Sequence, residues 1–158
     1  RPRPGVLELR YVVTGAVDGL LLPPPATSAR ADQLWRHTCL EAFVRGASGD
    51  AYWELNLSPS TQWAAYRFDG YRQGMAQADL RAPPRIEVRA ASDRFELTAA
   101  LDLAAAAPPA GAWRLGLSAV IEAAGGRLSY WALAHPPGKP DFHHPDCFAL
   151  ELPAPDGP

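Results

Sequence analysis

Two carboxylates and the only asparagine of the chain sit at related phases of two β-type runs: Glu41 in "TCLEAFV" (38–44), and Glu54 with Asn56 in "YWELNL" (52–57). In a strand alternate side chains share a face, so Tyr52, Glu54 and Asn56 oppose Trp53, Leu55 and Leu57, and Cys39, Glu41 and Phe43 oppose Leu40, Ala42 and Val44. A third run, "WAAYRF" (63–68), divides into Trp63, Ala65 and Arg67 against Ala64, Tyr66 and Phe68. With these runs as neighbours, Glu41, Glu54, Asn56 and Arg67 are expected to converge on one sheet face. Directed hydrogen-bonding groups beside flat aromatic platforms are what a polar, ring-shaped ligand needs. Trp35, Trp63 and Trp131 are the candidate platforms, while Trp53 and Trp113 read as core. The ordinary alternative for the same charges is a solvated, salt-bridged outer face.

Other chemistry finds less to work with. His143 and His144 beside Asp141 and Asp146 have the donor types for a divalent metal, but consecutive strand residues point apart and the spacing matches no closed zinc pattern. Met75 with the four histidines supplies donor types for haem, without a C-x-x-C-H motif. Glu41 and Glu54 make a glycosidase pair only at a separation that sequence does not fix. There is no G-x-S-x-G, H-E-x-x-H or phosphate-cradling glycine loop, so no catalytic residue is assigned. Asn56-Leu57-Ser58 matches a glycosylation acceptor, but Pro59 follows and the triplet lies in a strand run.

The elements that must position these groups are short strands. Besides the three runs above, "VLELRYVV" (6–13), "RIEVRA" (85–90), "RFELTAAL" (94–101), "WRLGLSAVIE" (113–122), "RLSYWALA" (127–134) and "CFALEL" (147–152) alternate or carry β-branched and aromatic residues. Such spacing predicts an all-β fold, an antiparallel sandwich or barrel of about eight to ten strands. "ASDR" (91–94) and "AAGGR" (123–127) read as tight hairpins. Helix is expected only over "SARADQLW" (28–35), capped by Ser28, and as one turn within "LDLAAAAPP" (101–109) before its prolines. The Pro-rich stretch "AHPPGKPDFHHPD" (134–146) is too long for a hairpin and reads as a functional or mobile loop. A single domain over 1–152 with a frayed tail at 153–158 follows.

Bulk properties narrow the partners. The chain has 158 residues, enough for one core, and a formal net charge of -2, which gives no general attraction to nucleic acid or anionic membrane. No apolar run approaches the roughly 18 to 20 residues of a membrane span, and "RPRPGVLELRYVV" lacks a secretory h-region, so a cytoplasmic protein is expected. Cys39 and Cys147 read as buried thiols, with a pair as the alternative.

The run "LWRHTCLEAFVRGASGDAYWELNLSPSTQWAAYRFDGYRQGM" (34–75) resembles the signature of bacterial DOMON-like proteins, relatives of the family 9 carbohydrate-binding modules. The likeness continues through "LSAVIE" and "LSYWALAHPPGKPDFHHPDCFALEL" (128–152). It implies an immunoglobulin-like, jelly-roll-like β-sandwich without catalysis, in a superfamily that binds sugars or haem in a pocket on one sheet face. Carried onto this chain, it favours Glu41, Glu54, Asn56, Arg67 and nearby rings, Trp131 among them, as a carbohydrate site. The haem-binding relatives use a Met with His or Lys, which points to Met75 without naming its partner. Protein interaction is the remaining alternative.

Overall fold

The computed structural model describes residues 5–105 and 111–153. The tail expected to fray lies outside the described residues beyond position 153, as does the second half of the turn expected at 101–109.

Among the described residues ten strands form two antiparallel sheets: β1 (Val6–Thr14), β2 (Cys39–Gly46), β3 (Tyr52–Leu57), β4 (Trp63–Phe68), β5 (Ala76–Gln77), β6 (Arg85–Ala90), β7 (Arg94–Asp102), β8 (Trp113–Glu122), β9 (Leu128–Ala132) and β10 (Leu150–Leu152). The smaller sheet runs β1-β7-β6, and the larger one β10-β8-β2-β3-β4-β5 with β9 also on β8. The expected all-β, antiparallel sandwich is what forms.

Alternation builds the core between the sheets. Leu7 and Leu9 of β1 and Phe95, Leu97, Ala99 and Leu101 of β7 face Leu40, Ala42 and Val44 of β2, Trp53, Leu55 and Leu57 of β3, and Leu115, Ala119 and Ile121 of β8. Trp113 packs against this cluster. Each fully buried aliphatic or aromatic side chain contributes about 1.5–3 kcal/mol, so this layer carries the stability. Cys39 and Cys147 are both free and buried.

Both expected hairpins are present. Ala91 N–H donates to Arg94 C=O at 2.7 Å, and Ala123 N–H donates to Arg127 C=O at 2.9 Å, with Gly125 and Gly126 at φ +89° and +81°. Those angles lie where only glycine is unstrained.

The helix expected at 28–35 does not form. Arg30 instead bridges to Trp63, and Gln33 takes a left-handed φ of 59°, leaving only a 3-10 turn over Leu34–Arg36. Two turns of helix are marginal without tertiary support, and here the tertiary support favours extended chain. The run 147–152 likewise begins in a 3-10 turn, Pro145–Cys147, and becomes strand only at Leu150. No helix among the described residues is long and apolar enough to cross a membrane.

The larger sheet is covered on both faces. β2 and β3 are buried at nearly every position, which only a second cover can produce. That cover is the Pro-rich segment between β9 and β10. These two strands lie along the same side of β8, β9 on residues 118–122 and β10 on 113–115, so the intervening chain leaves and rejoins one strand. In between it crosses the sheet face, where Phe142 and Phe148 pack with Phe43, Tyr52, Tyr66 and Phe68. Gly116 marks the crossing: a Cβ there would lie 2.8 Å from the carbonyl oxygen of Cys147.

Candidate functional site

The covered face holds a cavity of about 420 Å³. Its floor is the polar part of the sheet. Glu41 stands opposite Asn56 on β3 and opposite Ser118 on β8. Asn56 Nδ2 donates to Glu54 Oε1 at 3.0 Å, and Ser118 Oγ donates to Glu41 Oε2 at 3.5 Å. Glu41, Glu54 and Asn56 are 3%, 5% and 0% exposed, so the expected alternative of a solvated face is overturned. The physical reason is the roof.

The walls are aromatic: Trp35 from the 3-10 turn, Phe68 from β4, Tyr130 from β9 and Phe142 from the roof. Trp35 is braced edge-on against Tyr66 with 6.2 Å between ring centres and keeps 36% of its surface open. Tyr66 is itself fixed by a 2.6 Å hydrogen bond from its hydroxyl to Asp32.

His143 and Asp141 pin the roof to the sheet. Arg72 Nη2 donates to Asp141 Oδ1 at 2.7 Å, Tyr71 donates its hydroxyl to the same carboxylate, and His143 N–H does so at 3.2 Å. Burial alone raises the Asp141 carboxyl, but the Tyr71 and Arg72 donors outweigh it and hold it below its ordinary value. His143 Nδ1 lies 2.7 Å from the Tyr52 hydroxyl, and its Nε2 lies 3.6 Å from Glu54 Oε2. The Tyr52 hydroxyl also accepts Arg72 N–H at 3.2 Å, so giving its own proton to Nδ1 leaves the imidazole Nε2–H toward Glu54.

Burial sets the charges here. Glu41 is pushed up to about 8 by burial and then by Glu54, against the Ser118 hydrogen bond. Burial raises Glu54 to about 7, against Asn56 and Arg72. His143 falls to about 4 through burial and the neighbouring Arg72 charge, and is a neutral ring at pH 7. The floor is thus a set of buried oxygen groups with no cation of their own.

The sequence expectations divide accordingly. Glu41, Glu54 and Asn56 are brought together. Arg67 is not: it stands opposite Trp53 on the other face, bonds Asp69 and places its guanidinium 5.9 Å from the Trp53 ring. Tyr66, one residue earlier, faces the floor, so the expected convergence fails by one position of strand phase. Trp63 is also on the inter-sheet side, 7% exposed, with the Arg30 guanidinium 4.6 Å above its ring. Arg30 donates as well to the Ala65 and Ala78 carbonyls, so this platform is already taken.

Trp131 is 63% exposed but stands opposite Ala119, and lines a second cavity of about 640 Å³ beside β1. Its neighbour Tyr130 turns toward the floor. Phe68, Tyr130, Arg72 and Phe142 are the wall residues that sequence reasoning missed. For Tyr130 the period-two alternation of "LSYWA" held the signal; for Arg72 and Phe142, both in irregular chain, no periodicity exists to read.

His143 turns inward as described. His144 Nδ1 accepts Asp146 N–H at 3.2 Å, and no group of three or more His, Cys, Asp or Glu among the described residues is arranged to hold a metal. Met75 and His143 both line the cavity, the donor types of a haem site. They do not fit that group: both ring nitrogens of His143 already face Tyr52 and Glu54, and two buried carboxyls underlie the space a macrocycle would need.

Floor, roof and sheet order define an antiparallel β-sandwich with a covered cavity on the outer face of its larger sheet. Its fold is similar to the crystal structure of a putative carbohydrate-binding protein from Bacteroides uniformis, at a TM-score of 0.62 and 13% identity, covering 91% of this chain and 71% of that one. No protein-family model matches the chain, and no curated protein sequence matches it.

Proposed function

We propose that residues 1–152 form a single, non-catalytic carbohydrate-binding module of the DOMON-like and family 9 kind, with its site in the covered cavity. The observation that carries this reading is the pairing of two buried carboxyls, Glu41 and Glu54, the latter held from behind by Asn56, with the rings of Trp35, Tyr130 and Phe142 around one opening. A sugar ring stacks its C–H face on an aromatic wall and points hydroxyls at the oxygens below. The fold shared with the Bacteroides uniformis protein supports the same reading. Of the residues expected from sequence, Glu41 and Glu54 carry the contacts with Asn56 orienting Glu54, and of the three expected platforms Trp35 keeps that role, with Tyr130 in place of Trp63 and Trp131.

The test is a titration of the protein with a panel of mono- and oligosaccharides, read by calorimetry and by tryptophan fluorescence. Saturable binding that quenches Trp35 emission and is lost in Glu54→Ala with an unchanged fold supports the proposal. Binding that survives removal of both Glu54 and Trp35 places the ligand elsewhere.

A further inference from the structure

With its carboxyls ionised, the floor holds more hydrogen-bond acceptors than donors. Asn56 donates its amide hydrogen to Glu54, and its buried Oδ1 has no partner among the described residues. Glu41 has Ser118 alone, at 3.5 Å, and the second oxygen of Glu54 has only the His143 ring at 3.6 Å. A buried acceptor left without a donor destabilises the fold, so a ligand that brings donors gains what water otherwise supplies.

The charge count leans the same way. Of the charged side chains lining the cavity, Glu41, Glu54 and Asp141 are acidic and Arg72 is the guanidinium. Arg72 is committed to Asp141 at 2.7 Å. Facing Glu41 are Ser118 from β8 and Asn56 from β3, with Tyr11 from β1, Cys39 and Glu54 nearby; facing Glu54 are Asn56, Tyr66 from β4, and His143 and Arg72 from the irregular segments. None of these is a cation free to answer Glu41. The walls add Trp35, Phe68, Tyr130 and Phe142, whose ring faces attract a positive charge.

We propose that the ligand of this cavity carries a protonated primary amine, as an amino sugar does, seated on the carboxyl oxygens of Glu41 and Glu54. This deepens the carbohydrate reading and rests on it. An ammonium group brings three donors and no acceptor, whereas each hydroxyl of a neutral sugar adds acceptor lone pairs to a floor already rich in them. Because burial favours protonated carboxyls in the empty cavity, seating the cation ionises them and releases protons to solvent.

Three disaccharides of one linkage make the test: the β-1,4 dimer of glucosamine, its N-acetylated form, and cellobiose. The glucosamine dimer is expected to bind at least tenfold more tightly than either neutral sugar. Its binding heat should vary with buffer ionisation enthalpy, and Glu41→Gln should reduce the ratio of its affinity to that for cellobiose at least fivefold. Equal affinity for all three overturns the amine and leaves the carbohydrate reading standing. If methylammonium binds as tightly as the glucosamine dimer and cellobiose does not bind, the ammonium site stands and the carbohydrate reading falls. Binding of none of the four probes overturns both. The comparison of sugars on the unaltered protein needs no variant to fold.

Discussion

Asn56 faces Glu41 across the β2–β3 ladder and gives its amide hydrogen to Glu54, two residues earlier on its own strand, at 3.0 Å. One neutral side chain thus separates two buried carboxyls while satisfying one of them. Replacing it by Asp puts a third carboxyl into the same floor and removes the donor. Asn56→Asp is expected to destabilise the fold by about 3 kcal/mol or more, and by more at pH 8 than at pH 5. Thermal denaturation at the two pH values checks this; a loss independent of pH would mean that packing, not charge, sets the cost.

The pH dependence of stability has a sign that can be derived. Glu titrates near 4.3 in an unfolded chain, but Glu41 and Glu54 in the folded one are raised to about 8 and about 7. From about pH 4.5 to 8 the folded state therefore binds more protons, and stability falls as pH rises through that window. His143, lowered to about 4, acts oppositely between 4 and about 6.5, where the unfolded chain takes the proton. The decline should be steepest between about pH 6 and 7.5, and Glu41→Gln should flatten it, gaining on the unaltered protein as pH rises. Parallel melting curves for the two proteins across this range would show that Glu41 titrates normally.

Tyr130 and Trp131 are adjacent on β9 and point to opposite faces of the sheet. Tyr130→Ala is expected to weaken sugar binding about fivefold, the effect of losing roughly 1 kcal/mol of stacking. Trp131→Ala should leave affinity unchanged, although Trp131 is the larger and more exposed ring. Calorimetric titration of both variants decides which face is used.

Gly116 lies where the roof crosses β8, and the space for a methyl is occupied by the Cys147 carbonyl oxygen at 2.8 Å, with Phe43 Cβ at 3.6 Å. Gly116→Ala should cost about 1–3 kcal/mol as the roof lifts. Amide exchange at His144, Cys147 and Phe148, whose N–H groups are held by the roof's own turns, should accelerate more than exchange in β2 or β7. Uniform acceleration would mean that the substitution weakens the whole sandwich.

Much of this architecture was legible because alternation is a strong signal in strands. "YWELNL", "WAAYRF", "RIEVRA" and "WRLGLSAVIE" form strands with the bounds expected from sequence, and the two-face division of β2 and β3 places Glu41, Glu54 and Asn56 together. Alternation does not reveal what covers a face. The sequence pattern of β2 and β3 is equally consistent with solvent or with a roof, and the roof is a Pro-rich segment far along the chain. Arg67 and Trp63 carry the opposite strand phase to Glu54, so grouping them by chemistry and not by phase misplaces them. The residues 28–35 have helix-forming composition, but the bonds that Arg30 makes to β4 and Ala78 are long-range and invisible to any local window.

β9 and β10 lie end to end on one side of β8, so the roof begins and ends on a single strand. A segment anchored in this way behaves as a replaceable cassette. Its length enters the free energy only through a slowly growing closure term, and its rings Phe142 and Phe148 pack on the outer face of the larger sheet. Cavity shape can then diverge rapidly between descendants of one ancestor while the sandwich beneath is kept.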